Sequence, residues 1–271
     1  MIRIIKDIFR FLKHLIDNKQ LLLTLSENDF KEQFLGSYLG IFWAILRPIL
    51  FMIIVWFIFS VGFKGHLKDS EIPFVLYLMC GYIPWFFFSD AVSGGMNSVI
   101  SNKYLVKKVN FRVSILPIVK IVSVLFLHII FLVILIVILF LYGYSPTVYW
   151  IQLPFYTFMM FVLVLGISWF TSALRVFMKD ISQIISVILQ LGFWITPIFW
   201  SISVVPEKYA FILNLNPMVY IVEGYRNTFL SNKWFWESTE YLTYFLSITL
   251  FFFLLGIIVF RRLRPHFGDV L

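Results

Sequence analysis

The sequence is poor in charge and contains a single cysteine. Charged residues make up 13% of its 271 positions, about half of the roughly 25% that is usual in soluble domains. Apolar residues reach 61% and aromatic residues 20%, so the chain has too little polar surface to cover itself in water. These proportions exclude a water-soluble globule. Cys80 is the single cysteine of the sequence. The chain can therefore form neither an intrachain disulfide nor a thiolate metal cluster.

Several motifs of enzymes and nucleotide-binding proteins are also absent. No GxxxxGK[ST] sequence occurs, so the chain lacks a phosphate-binding loop of its own. We expect any nucleotide to be bound by another chain. The histidines show no HExxH motif and no metal-ligand spacing, which predicts no metal site; they are His14, His66, His128 and His266. The cationic surplus lies between apolar runs, a pattern that suits lipid headgroups and not nucleic acid.

Long apolar runs dominate what is present. A helix needs about 20 apolar residues to cross a bilayer. Residues 129–141 are almost unbroken Ile, Leu, Val and Phe, which excludes the alternating strands of a barrel. We therefore predict an all-α membrane protein with six transmembrane helices. The predicted spans are Leu39–Val61, Phe74–Val92, Val113–Leu141, Leu153–Ala173, Ile181–Trp200 and Tyr241–Phe260.

The distribution of Lys and Arg predicts the orientation. Most of them fall in segments that a six-span chain places on one face: the N-terminal segment, the loops after the second and fourth spans, and the tail. Because cytoplasmic loops collect these residues, both termini are predicted to be cytoplasmic. The expected location is a membrane that the chain crosses several times.

Residues 1–37 form a separate amphipathic segment ahead of the transmembrane domain at 38–271. Apolar residues at helical spacing alternate with charges near the N-terminus, which predicts a helix along the cytoplasmic membrane surface. It serves either as a plain anchor or also as a contact for an anionic lipid-linked substrate. Arg3, Arg10 and Arg47 are the candidate ligands for a lipid phosphate. Arg47 has an alternative role, in which it extends to the headgroups.

Two further segments do not span. The loop at 97–112 carries cations without anions, and is either a topogenic loop or a docking site for a soluble partner. Its candidate docking residues are Lys103, Tyr104, Lys107, Lys108 and Arg112. The region at 201–238 is interrupted by Pro206 and Pro217 and is too short for two crossings. It is predicted to form interfacial or re-entrant helices at the extracytoplasmic side, with an ordinary loop as the alternative.

Aromatic residues crowd two short stretches next to prolines. Their rings offer broad contacts to the CH-rich faces of sugars, which makes them candidates for lining a glycan conduit; the alternative is that they face lipid or form interface belts. The candidates are Tyr82, Trp85, Phe86, Phe88, Phe193, Trp194, Phe199 and Trp200.

Two ionisable residues are predicted to lie at membrane depth. Asp90 stands before Gly94 and Gly95, where it is either interfacial or the cap of a broken helix. His128 lies within the third predicted span, and we expect its neutral ring to bond a neighbouring helix. The alternative is a functional role, and the two residues are then the candidates for an intramembrane glycosyl- or acyltransferase.

The order of short motifs along the chain is specific. They are Leu39-Gly40-x-x-Trp43 with Pro48, Gly81-Tyr82-Ile83-Pro84-Trp85-Phe86, Ser114-Ile115-Leu116-Pro117, Arg175-x-x-x-Lys179-Asp180, Thr196-Pro197-Ile198, Asn216-Pro217-Met218-x-Tyr220-x5-Arg226 and Pro265-x-Phe267-x-Asp269. With these motifs the chain resembles, nearly end to end, the membrane subunit of type 2 ABC exporters for polysaccharides. That group includes O-antigen and wall teichoic acid exporters.

The resemblance implies a homodimer that associates with two copies of an ATPase subunit, which binds ATP and magnesium. It implies docking of the ATPase at 97–112 and a conduit for polyprenyl diphosphate-linked glycan between the two copies. An outer gate before the last span is implied as well, with Pro206, Pro217, Tyr220, Glu223 and Arg226 as its candidate residues. O-antigen is the expected cargo. The alternatives are teichoic acid, a drug or a lipid.

Overall fold

The computed structural model describes residues 17–33, 39–62, 72–108, 111–206, 208, 213 and 215–271. Within these ranges the secondary structure is helical, without strands, as predicted. The α-helices are α1 (Lys19–Glu32), α2 (Phe42–Phe57), α3 (Phe74–Ser101), α4 (Lys103–Val106), α5 (Leu116–Leu141), α6 (Leu153–Phe177), α7 (Ile181–Ile195), α8 (Pro217–Arg226), α9 (Thr239–Leu263) and α10 (Phe267–Val270).

Five helical segments in the described ranges are long and apolar enough to cross a membrane. They are Phe42–Ser60, Phe74–Ser101, Val113–Leu141, Val148–Phe177 and Thr239–Val270. The sixth predicted span is a shorter apolar helix, α7, which ends at Ile195 instead of Trp200. Thr196 leaves the helical conformation because Pro197 restricts the residue before it. The 15 residues of α7 extend about 22 Å at 1.5 Å per residue, less than the ~30 Å hydrocarbon core of a bilayer.

Helix α3 is the centre of the fold and packs against α2, α5, α6, α7 and α8. It extends to Ser101, beyond the predicted end at Val92, and it continues unbroken through Gly94 and Gly95. Both glycines allow close contacts. A Cβ atom on Gly94 would lie 2.8 Å from Cγ of Lys120, and one on Gly95 would lie 2.2 Å from Oγ of Ser168. The interpretation of Asp90 as the cap of a broken helix is therefore wrong, since it lies inside α3.

Helices α6 and α9 also meet at glycines. A Cβ atom on Gly166 would come within 2.6 Å of the backbone nitrogen of Phe253, and one on Gly256 would lie 2.3 Å from the carbonyl oxygen of Gly166. Small residues at such crossings let helix backbones approach closely, which is a common way for membrane helices to pack. The pair α6–α9 thus forms one wall behind α3.

Helix α1 lies against the first turns of α5. The Lys120 ammonium binds both carboxylate oxygens of Asp29, at 3.1 and 3.0 Å, and Phe30 packs edge-on against Phe126 with ring centroids 5.9 Å apart. The helix predicted from the pattern within residues 1–16, with Arg3 and Arg10, lies outside the described residues. For orientation, we call the end of the bundle that carries residues 101–112, 175–181 and 261–264 the basic end.

Candidate functional site

A groove runs along one face of α3. Tyr82, Phe86, Ser89, Asp90 and Ser93 line it from this helix, and their spacing of three and four residues places them on a single helical face. Trp85, from the adjoining strip of α3, also lines it. Along α3 the aromatic rings therefore occupy one stretch of the groove, and a carboxyl group with two serine hydroxyls occupies the next. We call it the aromatic groove.

The opposite wall of the aromatic groove comes from α7. Its lining residues are Ser186, Leu189, Gln190, Phe193 and Trp194, again at the spacing of one helical face. The rings of Trp85 and Phe193 have centroids 6.1 Å apart, so the aromatic residues of the two walls contact each other. Phe51 of α2 completes the lining and stacks on Tyr82 at a centroid distance of 5.3 Å.

A second groove continues the first. Trp43, Ala44, Arg47, Pro48 and Phe51 line it from α2. From α1, α3 and α5 come Gln33, Tyr82, Phe86, Asp90 and Leu127. Because Phe51, Tyr82, Phe86 and Asp90 belong to both linings, the two grooves are contiguous. We call the second one the Arg47 groove.

Arg47 is exposed in this groove. Its guanidinium carbon lies 5.7 Å from the ring centroid of Trp43, one helical turn earlier. A planar cation with free donors suits a phosphate oxygen. The role of Arg47 as a ligand for a lipid phosphate at the entrance stays a prediction.

The predicted conduit aromatics divide into two sets. Tyr82, Trp85, Phe86, Phe193 and Trp194 line the aromatic groove. Phe88 and Phe199 are buried in the core, and Trp200 is half-buried; none of these three lines either groove among the described residues. Phe88 is displaced by helical geometry, because it lies two residues from Phe86 and so points to another side of α3.

Polar lining residues were missed from the sequence. Ser89, Ser93, Ser186 and Gln190 were not predicted as site residues, and Asp90 was considered only as a possible catalytic group. The signal that marks them is periodicity: each shares a helical stripe with predicted aromatics, at intervals of three, four or seven residues.

Next to the groove, α8 is fastened to α3 by a buried arginine. Arg226, which is 2% exposed, donates from Nη2 to the carbonyl oxygen of Ile198 at 2.7 Å and from Nη1 to Glu223 at 2.5 Å. Its guanidinium carbon lies 3.5 Å from the ring centroid of Tyr77 in the first turn of α3. The Arg226 side chain thus joins α8, the segment after α7 and the start of α3.

Asn216 makes a second connection between the same segments. Its side-chain oxygen accepts from the backbone nitrogen of Met218 at 3.0 Å and so caps α8, and its amide donates to Thr196 Oγ1 at 2.7 Å. Pro217 follows at the first helical position, which proline favours. Of the predicted gate residues, Pro217, Tyr220, Glu223 and Arg226 share α8, whereas Pro206 lies in the preceding segment and is exposed.

His128 bonds a neighbouring helix, as predicted. Its Nε2 lies 2.9 Å from the Tyr225 hydroxyl, which also lies 3.1 Å from Thr157 Oγ1. The ring is 2% exposed and lines neither groove among the residues that the structure describes. His128 and Asp90 therefore do not share a groove, and the geometry joins no pair of groups for an intramembrane transferase.

A family model for the ABC-2 type transporter matches residues 20–230. This range holds both grooves and the whole of α8. The chain belongs to the ABC-2 type transporter family. Membership of this family indicates a role in transport, which is consistent with the prediction of a transporter subunit.

Several characterised relatives of this ABC-2 family member are named for polysaccharide export. The O-antigen export system permease protein RfbA of Klebsiella pneumoniae is 27% identical over 252 residues, which cover 93% of the chain and 95% of the relative. RfbA of Myxococcus xanthus is 27% identical over 235 residues, 86% of each chain. The polysialic acid transport protein KpsM of Escherichia coli is 26% identical over 242 residues, 86% of this chain and 89% of the relative.

The loop at 97–112 of this ABC-2 family member lies at the basic end. Its first residues belong to α3, and the single turn of α4 follows. Lys103, Tyr104, Lys107, Lys108 and Arg112 are all exposed. The Lys108 ammonium lies 4.4 Å from the ring centroid of Tyr104, while Leu105, Val106 and Phe111 pack against the core. The apolar side chains of the loop thus attach it to the core while its cations stay exposed. Its use as a docking site stays a prediction.

Proposed function

We propose that this chain is the membrane subunit of an ATP-driven exporter that moves polyprenyl diphosphate-linked polysaccharide, O-antigen in particular, across the bacterial inner membrane. Support comes from ABC-2 family membership and from relatives named for O-antigen export that align over nearly the whole chain. The relatives named for polysialic acid transport extend the same theme of polysaccharide cargo.

The observation that carries the proposal is the continuity of the two grooves. A drug or a single lipid needs only one closed pocket, whereas a polymer needs a path that one segment can leave as the next enters. The aromatic groove offers ring faces and hydroxyls, which together suit the apolar and polar faces of sugar rings. The Arg47 groove joins it directly and offers the cation that the diphosphate requires.

We further propose that the exporter contains two copies of this chain and two ATPase subunits, which hold ATP and magnesium. The helices that flank the groove support the dimer, because α2 and α7 leave large apolar side chains exposed, among them Ile53, Ile54, Ile184 and Ile188. A second copy placed against these faces converts the open groove into a closed conduit. In this arrangement the basic end is cytoplasmic, as are both termini, and six helices cross the membrane, α7 being the shortest.

Coupling and gating follow from the same arrangement. Closure of the ATPase dimer pushes on the exposed loop at 97–112, which continues directly into α3 and α5. Since α3 forms one wall of the aromatic groove, its tilt widens the path. Helix α8 then acts as a re-entrant outer gate. Its depth supports this role, because Tyr225 reaches His128 near the middle of α5.

Deletion and complementation test the proposed function. Cells that lack this chain should lose surface polysaccharide and accumulate the lipid-linked polymer on the cytoplasmic side, and expression of the wild type should restore export. Replacement of the ATPase subunit by a variant that cannot bind nucleotide should block export in the same way. Unchanged surface polysaccharide in the deletion strain would contradict the proposal.

A triple variant tests the docking assignment separately. Replacement of Lys107, Lys108 and Arg112 by Ala should abolish co-purification with the ATPase subunit and polysaccharide export, while the membrane chain itself stays folded. The matched control is Arg262→Ala, which removes an exposed cation at the same end of the bundle. If the triple variant binds the ATPase and exports as the wild type does, the docking assignment is wrong.

A further inference from the structure

We infer that the aromatic groove selects glycans that are uncharged or carry amino groups over polyanionic ones, and that Asp90 is the residue that sets this preference. The inference rests on the proposed function, since it concerns the polymer that the groove conducts. It separates O-antigen-like neutral chains from polymers with a phosphate or carboxylate on every repeat.

The charge of the lining is the first argument. Among the described residues of the aromatic groove, Asp90 is the one Asp, Glu, Lys or Arg, and the remainder are aromatic, aliphatic, hydroxyl and amide side chains. A polyanion inside the groove would leave its charges without cations and facing a carboxylate. An amino sugar would gain an ion pair at the same place, and a neutral sugar would be accepted without repulsion.

The neighbouring cations lie outside the described lining of the aromatic groove. Lys120, whose stem crosses α3 at Gly94, is engaged by the carboxylate of Asp29 at 3.0 Å. Arg47 lines the neighbouring groove and not the aromatic one. In the parts of the chain that the structure describes, neither a salt bridge nor a hydrogen bond engages the Asp90 carboxylate. Asp90 is therefore available to a ligand.

Hydrogen-bond polarity gives a second, independent argument. The Ser89 hydroxyl donates to the carbonyl oxygen of Phe86 at 3.1 Å, and the Ser186 hydroxyl donates to that of Ser182 at 2.8 Å. With these protons used inside the helices, both oxygens are left as acceptors, and so is the Asp90 carboxylate. Sugar hydroxyls and amino groups supply donors to such acceptors. Phosphate and carboxylate groups supply acceptors only, so these three groups offer them no donor, whereas Tyr82 and Gln190 of the same lining can donate to any of the cargoes.

The two grooves then divide the cargo between them. Asp90 lines both grooves, but only the Arg47 groove also has a cation in its lining, so it takes the diphosphate of the proposed cargo. The aromatic groove, which has no Lys or Arg among its described lining residues, takes the sugar chain that follows. An anion is accepted once, at the entrance, and is disfavoured along the path.

The preference can be measured on the purified complex of this chain with its ATPase, using three hexasaccharides of equal length. These are N-acetylated chitohexaose, which is neutral, its fully deacetylated form, which is cationic, and hexagalacturonate, which is anionic. We expect the wild type to bind the cationic and neutral probes more tightly than the anionic one, by about tenfold, the factor that 1.4 kcal/mol of binding free energy gives.

Variants at one position decide the role of Asp90. Asp90→Asn keeps the shape and should remove most of the difference between the cationic and anionic probes, whereas Asp90→Lys should reverse their order. Asp269→Asn, an exposed carboxylate in α10, is the control and should leave the order unchanged. Nucleotide hydrolysis by each complex confirms that the variants are folded and assembled.

Two results would overturn the inference. One is wild-type binding of hexagalacturonate as tight as that of chitohexaose, and the other is an unchanged order in Asp90→Lys. If the chain restores polysaccharide export in cells but gives either of these results, the inferred charge preference is wrong and the proposed function stands. A complex that binds none of the three probes, and whose gene restores no export, contradicts the proposed function as well.

Discussion

Helices α2 and α3 face each other across the two grooves and are built in opposite ways. In the most apolar stretch of α3, 72% of the residues are buried inside the molecule, whereas in that of the span that begins with α2 only 17% of the residues are buried. Yet the stretch in α2 has the higher mean hydropathy of the two. The more apolar helix is therefore the less buried one, the reverse of the usual order in a soluble protein.

The difference teaches what holds a membrane core together. Lipid is as apolar as a leucine side chain, so apolar surface gains little by leaving it for the protein interior. Close backbone contact and polar connections decide the packing instead. Helix α3 has both, in Gly81, Gly94 and Gly95 against its neighbours and in the contact of Tyr77 with Arg226. Helices α2 and α7 have few such features and keep an apolar surface for lipid or a partner chain.

The largest effect that breaks this contrast is expected at the glycine crossing of α6 and α9. Gly166→Leu places a side chain into the backbone of Phe252 and Phe253, and overpacking of this kind costs about 3 kcal/mol or more. We expect loss of the folded chain, measured as aggregation on size-exclusion chromatography in detergent. Gly268→Leu, at a glycine with open space around it, should remain monodisperse. Equal behaviour of both variants would contradict the glycine argument.

The buried arginine should give the next effect. Arg226→Met leaves the Ile198 carbonyl without its donor and Glu223 without its cation. The loss of a donor to a buried carbonyl oxygen and of a charge-assisted bond to the partly exposed Glu223 should cost about 3 kcal/mol, which thermal unfolding in detergent will report as a lower midpoint. Arg226→Lys should recover only part of the loss, because an ammonium lacks the planar fork that serves both partners. Full recovery by Lys would show that charge alone is needed.

A matched pair of isoleucines compares the two kinds of helix directly. Ile83 in α3 is 1% exposed and Ile188 in α7 is 55% exposed. Ile83→Ser should lower the free energy of unfolding by about 3 kcal/mol through the cavity and the buried hydroxyl. In the monomeric chain in detergent, Ile188→Ser should change it by less than about 0.5 kcal/mol, because this side chain is exposed within the single copy. Similar losses in the two variants would mean that α7 packs as tightly as α3.

The smallest expected effect concerns the bond between α8 and α5. Tyr225→Phe removes the hydroxyl that lies between His128 and Thr157, and such bonds in membranes are worth about 1 kcal/mol. The unfolding midpoint should fall slightly. Tyr104→Phe, at a ring that is 70% exposed, should leave it unchanged. A drop as large as that of Arg226→Met would reveal that this bond, and not the arginine, fastens α8.

The sequence predicted the helical class and the approximate position of the five helices that are long and apolar enough to cross a membrane, because long apolar runs leave few alternatives. It also predicted the bond of His128 to a neighbouring helix, from the cost of leaving an imidazole unpartnered at membrane depth. The arginine that fastens α8 was found only as part of a motif. The sequence near Arg226 does not indicate that Ile198 and Tyr77 are its partners, since those contacts depend on how segments that are distant in the chain pack together.

Two features could not be predicted for clear physical reasons. Gly94 and Gly95 favour a helix break when considered locally, and only the side chains of Lys120 and Ser168 that fill the space beside them explain why α3 continues. Likewise, a cluster of neighbouring rings does not show which of them lines a groove. Phe86 does and Phe88 does not, and the sequence distinguishes them only after the facing helix is known.

Because α2 and α7 pack less extensively on the rest of the described chain than α5 and α6 do, we expect the groove that they flank to widen more easily than the core. Either helix can swing outward by displacing acyl chains, while the glycine crossings and the arginine behind α3 stay intact. In the proposed exporter, such a groove would let branches of different girth pass in succession, and the surrounding acyl chains, not the packed core of the chain, would give way.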